Sequence, residues 1–344
     1  MTDLSLLGWT PGRAAQLPQG TAPGRVARVD RGLLTVLTAD GERRVHPAAT
    51  LFDEDGRASP AVGDWVALRG ELAVAVLPRR SAFTRTVAGR RSAVQVVAAD
   101  LDAVLVVDAL AGAARLRRLE RYLAVAWSSG ATPVVVLTKA DLCDDVPAAV
   151  AQVAGDVLGV HVLAVSSLTG EGLDAVRAVV GPGRTAALVG PSGVGKSSLV
   201  NALIGRSVAG TREVRASDGR GRHTTTAREL HVLPGGGLLV DTPGMRELAL
   251  HDDAEGVDAA YADVAELAAR CRFRDCAHRT EPGCAVAAAV DDGTLDPARV
   301  VAWRKLQGEA RRQELRVDAR ARALERARLR AFHRAVRDQP NRLR

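Results

Sequence analysis

Long apolar runs and abundant cysteines are both missing from this sequence of 344 residues. No apolar run reaches the roughly 18 residues of a membrane-spanning helix, so the sequence predicts no such helix. The first residues, MTDLSLLGWTPGR, lack a basic start and a long apolar stretch, so we expect no signal peptide and a cytoplasmic location. There, the four cysteines are expected to be thiols or metal ligands rather than disulfides.

The composition that remains is typical of a soluble globular protein. Apolar residues make up 47% and charged residues 25% of the chain, which argues against extensive disorder. At roughly 100 to 200 residues per domain, the length indicates two or three domains. We therefore expect a multidomain protein that needs no membrane and forms a monomer, since nothing in the sequence indicates an oligomer.

The net charge of +7 is concentrated at the C-terminus. Residues 303–344 contain fourteen Lys or Arg and five Asp or Glu, so the rest of the chain is slightly acidic. This segment is rich in helix-forming residues and predicts a basic helical C-terminal extension. Either it is a solvated helix face, or it is a cationic helix that binds nucleic-acid phosphates in a salt-dependent way.

The N-terminal part of the chain suggests a small barrel. Residues 1–23 contain Pro, Gly and Gln without a sustained period, so we expect a flexible N-terminal arm. Residues 24–80 then carry five short β-like runs separated by turn residues, which is typical of an OB-fold-like β-barrel. Such a barrel often binds oligonucleotides, but a plain structural module fits this pattern equally well.

Residues 81–250 have the rhythm of an α/β domain. The apolar runs AVLVVD, PVVVLT, HVLAVS, AALVG and GLLVD alternate with helix-like segments at residues 114–128, 146–158 and 172–180. Continuous β-branched runs separated by helices indicate a parallel sheet that is covered on both faces. After residue 250 the pattern becomes helical and includes a cysteine cluster.

Residues 190–197, GPSGVGKS, match the P-loop pattern G-x-x-x-x-G-K-[ST] in full. The motif follows an apolar run and precedes a helix-like segment, which is the context it requires. Glycines let backbone amides surround phosphates, Lys196 is placed to reach the β- and γ-phosphates, and the Ser197 hydroxyl is placed to bind Mg²⁺. We therefore predict a nucleoside triphosphate site.

Two further segments fit the magnesium and γ-phosphate parts of such a site. Asp241 and Gly244 belong to a D-x-x-G tetrapeptide, in which the acidic residue helps to hold Mg²⁺ and the glycine amide senses the γ-phosphate. Between this segment and the P-loop lies GRHTTT, residues 221–226, where Thr224 or Thr225 is the candidate switch threonine. We take Thr225, with Ser197 and Asp241, as the predicted magnesium ligands; ordinary threonines in a solvent loop are the alternative.

The tetrapeptide TKAD, residues 138–141, follows a buried apolar run, at a position where parallel sheets bind ligands. The Asp141 carboxylate can accept two hydrogen bonds from guanine, which adenine cannot donate, while the stem of Lys139 packs on the ring. A later run ends in SSL, a weaker signal for a loop near the base. The predicted nucleotide-binding residues are Thr138, Lys139, Asp141, Ser166, Ser167, Gly190, Pro191, Ser192, Gly193, Val194, Gly195, Lys196, Ser197, Ser198, Asp241 and Gly244.

The order of these motifs is unusual, because TKAD and SSL precede the P-loop, whereas they follow it in ordinary small GTPases. In this order and over about residues 24–300, the chain resembles the circularly permuted ribosome-assembly GTPases of bacteria, the YjeQ type. The resemblance implies an OB-like barrel, a circularly permuted P-loop GTPase domain and a zinc region, and it implies late maturation of the small (30S) ribosomal subunit as the function. It also implies the small subunit and its rRNA as partners.

The residue after D-x-x-G departs from ordinary GTPases. Classical Ras-like enzymes place a water-orienting Gln there, whereas this chain has Met245, which cannot orient water. His223 is the nearest alternative, and the resemblance implies a catalytic histidine at that motif position; a solvated loop histidine is the plainer interpretation. We predict His223, Lys196 and Thr225 as catalytic residues, with slow turnover that a partner stimulates.

A cluster of three cysteines and one histidine predicts a metal site. Cys271, Cys276, His278 and Cys284 lie within fourteen residues and offer the four S and N ligands of tetrahedral, structural Zn²⁺. The spacing C-x₄-C-x-H-x₅-C also matches the resembled family. We therefore assign residues 251–302 to an α-helical zinc-binding domain, and interpret Cys143 as an ordinary residue; buried thiols that bind no metal are the alternative.

Taken together, these features predict a Mg²⁺-dependent enzyme that hydrolyses GTP to GDP and phosphate and controls its binding to the small ribosomal subunit by its nucleotide state. One rival is an RNA-binding module in which hydrolysis is incidental. The other rival is an unrelated P-loop ATPase or kinase, against which the TKAD motif and the absence of an evident acceptor site argue.

Overall fold

The computed structural model describes residues 2–52, 59–86, 94–110, 116–157, 159–205, 229–241, 254–279 and 281–317, and residues 323, 324, 326, 327 and 330 beyond them. The predicted candidates His223, Thr224, Thr225 and Gly244 lie outside these residues, as does most of the basic extension. Among the helices that are described, none combines the length and the apolar character that crossing a membrane requires.

The first five strands form a closed barrel. Apolar side chains on these strands point into the barrel, and Val26, Val36 and Val66 are fully buried in its core. The strand order is β1-β2-β3-β5-β4, and β4 pairs back on β1, which closes the barrel as the sequence predicted. The strands are β1 (Ala22–Asp30), β2 (Leu33–Thr38), β3 (Gly41–Pro47), β4 (Trp65–Arg69) and β5 (Leu72–Val76).

The α/β region forms a sheet in the order β10-β9-β8-β11-β13-β12, in which all neighbours are parallel except β12. An antiparallel hairpin of β6 and β7 connects it to the barrel. The hairpin and β12 were not predicted. The strands are β6 (Ala82–Thr86), β7 (Val94–Ala99), β8 (Ala103–Ala109), β9 (Thr132–Thr138), β10 (His161–Ala164), β11 (Thr185–Val189), β12 (Glu229–Val232) and β13 (Leu238–Asp241).

Helices cover both faces of this sheet, because its β-branched runs bury side chains on each side. One face packs against α4 and α5, and the other against α2 and α3, with the C-terminal helices packed on α2. Helix α1 lies in the N-terminal segment. The helices are α1 (Pro11–Ala14), α2 (Leu116–Ser128), α3 (Val146–Asp156), α4 (Leu173–Val179), α5 (Lys196–Ile204), α6 (Ala254–Ala260), α7 (Ala262–Ala268), α8 (Ala285–Asp291) and α9 (Pro297–Val317).

The N-terminal segment, which we expected to be a flexible arm, is folded against both neighbouring domains. The Trp9 ring packs at a tilt against the ring of the barrel residue Trp65, with ring centroids 4.7 Å apart. Arg13 is buried and donates to Asp100 at 2.6 Å, just before β8. Apolar and ionic tertiary contacts therefore order a segment whose local sequence shows no period.

A buried arginine fixes the barrel to the sheet. Arg25 of β1 is fully buried and donates to the Asp100 carbonyl at 3.1 Å and to Thr185 Oγ1 at 2.9 Å. Burial lowers the pKa of Arg25 to about 10, against the opposing charge of Asp100, so the guanidinium keeps its charge at neutral pH. The anchored Thr185 begins β11, the strand that leads to the P-loop.

Candidate functional site

The P-loop lies between β11 and α5, as the sequence predicted. Gly190 follows β11 so closely that a Cβ atom there would be 2.1 Å from the Val107 carbonyl oxygen, which only glycine tolerates. Val194 is buried beneath the loop, and α5 begins at Lys196. The backbone amides of residues 190–197 and the N-terminus of α5 therefore form a cradle that suits a phosphate group.

The Lys196 side chain folds back over the P-loop. Its Nζ donates to the carbonyl oxygens of Gly190, at 2.8 Å, and of Pro191. These bonds hold the ammonium group above the phosphate cradle, the position from which a P-loop lysine contacts β- and γ-phosphates. Ser197 follows it in the first turn of α5 and is half-buried.

Asp241 ends β13, the strand next to β11, and the other three residues of the D-x-x-G segment lie outside the described residues. Burial raises the pKa of Asp241, and the nearby side chains of His231 and Lys196 oppose that rise. Its attraction to Lys196 indicates that this carboxylate lies on the P-loop side of the sheet. With Ser197, it offers oxygen ligands of the kind that Mg²⁺ prefers.

The TKAD loop contacts the P-loop directly. The buried Thr138 hydroxyl donates to the Val194 carbonyl and also lies 3.2 Å from the Asp108 carbonyl. Lys139 has a left-handed backbone with φ of 61° and donates from Nζ to the Gly193 carbonyl at 3.1 Å. A nucleotide whose phosphates lie in the P-loop would therefore meet this loop with its base.

The SSL loop contacts the carboxylate of Asp141, which we predicted to recognise the base. The Ser166 hydroxyl is buried and donates to Asp141 Oδ1 at 2.5 Å. The hydroxyl oxygen of Ser166 in turn accepts hydrogen bonds from the backbone N–H groups of Leu168 and Thr169. These bonds fix the orientation of the exposed Asp141 carboxylate. Ser167, the next residue in the loop, is half-buried.

One acidic residue that contacts the TKAD loop was not singled out from the sequence. Asp108 lies in the run AVLVVD near the carboxyl end of β8, and its side chain is buried. Both of its carboxylate oxygens accept from Nη2 of Arg118, at 2.9 and 2.8 Å. Its backbone carbonyl also contacts Thr138. An acidic residue at the end of a predicted strand is the signal that could have identified it, because ligands bind at that edge.

The four predicted metal ligands come together between α7 and α8. The ligand atoms of Cys271, Cys276, His278 and Cys284 all lie within 4.8 Å of one another. Cys271 Sγ is 3.9 Å from Cys284 Sγ and 3.4 Å from His278 Nδ1, and Cys284 Sγ is 3.7 Å from that nitrogen. Tetrahedral zinc would require about 3.8 Å between sulfurs and about 3.6 Å between sulfur and nitrogen, so the donor set and its spacing fit that ion.

Hydrogen bonds at Cys271 favour its thiolate form. Desolvation raises the pKa of Cys271, but N–H groups of Val286 and Ala285 and the thiols of Cys284 and Cys276 outweigh it and lower that pKa overall. The N–H of Ala287 is also 3.3 Å from the sulfur of Cys284, at the start of α8. Backbone donors therefore stabilise the charged form of sulfur that binds metals.

Comparison with known proteins agrees with this geometry. Residues 76–251 match the family model described as RsgA GTPase. A relative from Streptomyces coelicolor, named small ribosomal subunit biogenesis GTPase RsgA, is 49% identical over 323 residues, covering 92% of this chain and 87% of the relative. One of the same name from Opitutus terrae is 44% identical and covers 92% of both chains.

Solved structures support the same fold. The crystal structure of YjeQ from Thermotoga maritima matches with a TM-score of 0.62 at 24% identity, covering 84% of this chain and 98% of that one. The structure of YloQ, described as a circularly permuted GTPase, matches with a TM-score of 0.59 at 23% identity, covering 86% and 96%. The resemblance predicted from the motif order is thus confirmed, and the chain belongs to the RsgA GTPase family.

Proposed function

We propose that this protein hydrolyses GTP to GDP and phosphate, and that its nucleotide state controls its binding to the small ribosomal subunit during late maturation of that subunit. The observation that carries the proposal is the direct contact between a complete P-loop and a TKAD loop, through Thr138 and Val194. That contact supports one continuous site for phosphates and a guanine base. The small ribosomal subunit enters the proposal from the names of the relatives.

Each part of the nucleotide has a proposed partner. The P-loop amides and Lys196 bind the phosphates, and Asp141, held by Ser166, accepts hydrogen bonds from guanine. Mg²⁺, when bound, would neutralise charge between the β- and γ-phosphates. Its proposed ligands are Ser197, Asp241 and Thr225, of which Thr225 lies outside the described residues.

Hydrolysis needs a group that orients water, and Met245 does not supply one. We propose His223 for this role, with turnover that is slow in the protein alone and is stimulated by the small subunit. His223→Ala should then abolish the stimulated increase in kcat while GTP binding is retained. His161→Ala, at the exposed start of β10, is the matched control. Equal stimulated kcat in both variants would contradict the assignment.

Zinc is the metal we propose for the Cys₃His cluster, in a structural role. Four protein ligands complete a tetrahedron, which leaves no position for a catalytic water. The cluster lies between α7 and α8, so a bound metal would crosslink these helices and stabilise the small helical region around them. We further propose a cytoplasmic monomer whose barrel, zinc domain and basic extension face rRNA.

The central test measures GTP turnover with and without purified small subunits across a salt series. We expect stimulation that weakens as salt rises, because phosphate contacts release counterions. Absence of stimulation would refute the ribosomal part and favour a nucleotide-regulated binding module.

Base specificity tests the enzyme class separately. Asp141→Asn should weaken GTP binding and leave little preference over ATP, whereas Asp144→Asn, an exposed aspartate three residues on, should bind GTP normally. Equal affinity of the unchanged protein for ATP and GTP would instead support an unrelated P-loop ATPase or kinase.

A further inference from the structure

The loop that carries the metal ligands has a basic and aromatic tip. Residues 270–279, RCRFRDCAHR, project four exposed arginines and one exposed carboxylate, Asp275. Phe273 lies in the middle of this tip and is 42% exposed. The exposed arginines are Arg270, Arg272, Arg274 and Arg279.

The exposure of Phe273 is notable in a chain with only 3% aromatic residues. Among the aromatic side chains in the described ranges, Phe273 and Phe52 are exposed, and the others are buried or half-buried. The guanidinium carbon of Arg272 lies 5.5 Å from the centre of the Phe273 ring. An aromatic face beside cations is suited to a partner that is both planar and anionic, which describes a nucleotide.

The backbone of the tip is fixed by short-range hydrogen bonds. Arg272 N–H donates to the Gly283 carbonyl at 3.1 Å, and Cys276 N–H donates to the Phe273 carbonyl at 3.3 Å. The Glu281 carboxylate accepts the N–H groups of Ala277, at 2.9 Å, and Arg279, at 2.7 Å. A preorganised surface loses little conformational entropy when it binds a partner.

We propose that this tip binds a single-stranded segment of RNA, with an unpaired base stacked on Phe273 and the flanking phosphates contacted by the exposed arginines. An exposed phenyl ring cannot stack on bases that are paired within a duplex, whereas unpaired bases can be displayed on aromatic side chains. The inference rests on the proposed function only for the source of the RNA, the small subunit.

The test uses the full-length protein and fluorescent oligouridylate of about eight nucleotides, the length that one small site covers. Phe273→Leu should weaken binding at least about fivefold without changing the salt slope, because stacking is lost and phosphate contacts remain. Phe273→Trp should restore the affinity. Arg274→Gln should instead reduce the salt slope by about 0.7, one single-strand phosphate contact.

Arg177→Gln is the matched control, because this exposed arginine lies on α4, away from the tip. It should change neither the affinity nor the salt slope. Metal content, melting temperature and intrinsic GTP turnover of each variant establish that the fold is retained. If Phe273→Leu loses its metal, Phe273→Trp and Arg274→Gln still test the proposal. Tryptophan keeps an apolar ring at position 273, and glutamine keeps part of the apolar stem of Arg274.

Several results would overturn the inference. The stacking site would be refuted if Phe273→Leu binds oligouridylate within twofold of the affinity of the unchanged protein and Arg274→Gln has an unchanged salt slope. Stronger binding of an RNA duplex of about 16 base pairs than of the single strand would contradict the strand preference. If the tip variants lose binding to the subunit but keep binding to oligouridylate, the tip binds a protein partner instead of RNA. If the tip variants behave normally while subunits still stimulate the unchanged enzyme, the inference fails and the proposed function stands.

Discussion

The contact between α2 and α6 is so close that a methyl group should disrupt it. A Cβ atom at Gly256 would lie 2.1 Å from Ser128 Oγ and 2.7 Å from both the Ala124 carbonyl oxygen and the Ser128 nitrogen. The hydroxyl can rotate away only by giving up its 2.8 Å bond to the Ala124 carbonyl, and the two backbone atoms cannot rotate. Gly256→Ala must therefore push the helices apart.

The magnitude follows from three opposing contributions. Overpacking costs about 1 to 3 kcal/mol, and the lost hydroxyl bond costs about 1 kcal/mol. The higher helix propensity of alanine returns about 1 kcal/mol at most. We expect a net loss of about 1 to 3 kcal/mol in the free energy of unfolding, seen as a lower urea midpoint by circular dichroism and as faster hydrogen exchange in α2 and α6.

Gly308 provides the matched control, because it also lies inside a helix, α9, and a Cβ there would come no closer than 3.7 Å to the Arg312 side chain. Gly308→Ala should stabilise the protein by up to about 1 kcal/mol through helix propensity alone. Since both changes are Gly to Ala, the difference between them measures the helix contact. Gly256→Ala that proves as stable as Gly308→Ala would refute the close packing of α6 on α2.

Three further outcomes are expected. Since burial raises the pKa of Asp241, Mg²⁺ affinity should fall as the pH drops, starting at a higher pH than for an ordinary carboxylate; calorimetric titration of Asp241→Asn should lack this pH dependence. Asp100→Ala removes a buried counter-charge and should cost about 3 to 5 kcal/mol in thermal unfolding, whereas Asp30→Ala breaks a surface pair worth under about 1 kcal/mol; similar melting temperatures would contradict this. Cys276→Ser should lower both zinc content and melting temperature, while Cys143→Ser should keep the zinc; equal zinc content would count against the site.

The strands and the P-loop were predictable because their signals are local. Apolar residues at every second position indicate a half-buried strand, and continuous β-branched runs indicate a fully buried one. The P-loop requires glycines at a fixed spacing. The segment of residues 1–23 has no such signal, because a four-residue helix such as Leu4–Leu7 is too short to show a period. Its order comes from Trp65 and Asp100, which are distant in sequence.

The candidate site was predictable as separate motifs but not as an arrangement. TKAD and SSL could each be assigned to a strand end, yet the bond from Ser166 to Asp141 depends on β10 lying beside β9. The link from Thr138 to Val194 likewise depends on β8 separating β9 from β11. Strand order is a property of the whole sheet, so local sequence does not determine it.

The permuted order has a structural consequence for both flanking domains. In ordinary small GTPases, the strand that ends in D-x-x-G must be followed by a helix that returns to the same sheet. Here the strand corresponding to that return, β8, comes earlier in the chain, so the chain after Asp241 is free to leave the sheet and form α6.

At the other end of the sheet, Arg25 of the barrel is bonded to Thr185, which begins the strand that leads into the P-loop. Strand β11, which leads into the P-loop, therefore contacts the barrel through Arg25, and β13, which ends at Asp241, precedes the C-terminal helices in the chain; β12, next to β13, also pairs with the barrel strand β1. Displacing either domain must strain one of these strands, because a strand paired on both edges cannot bend independently of its neighbours.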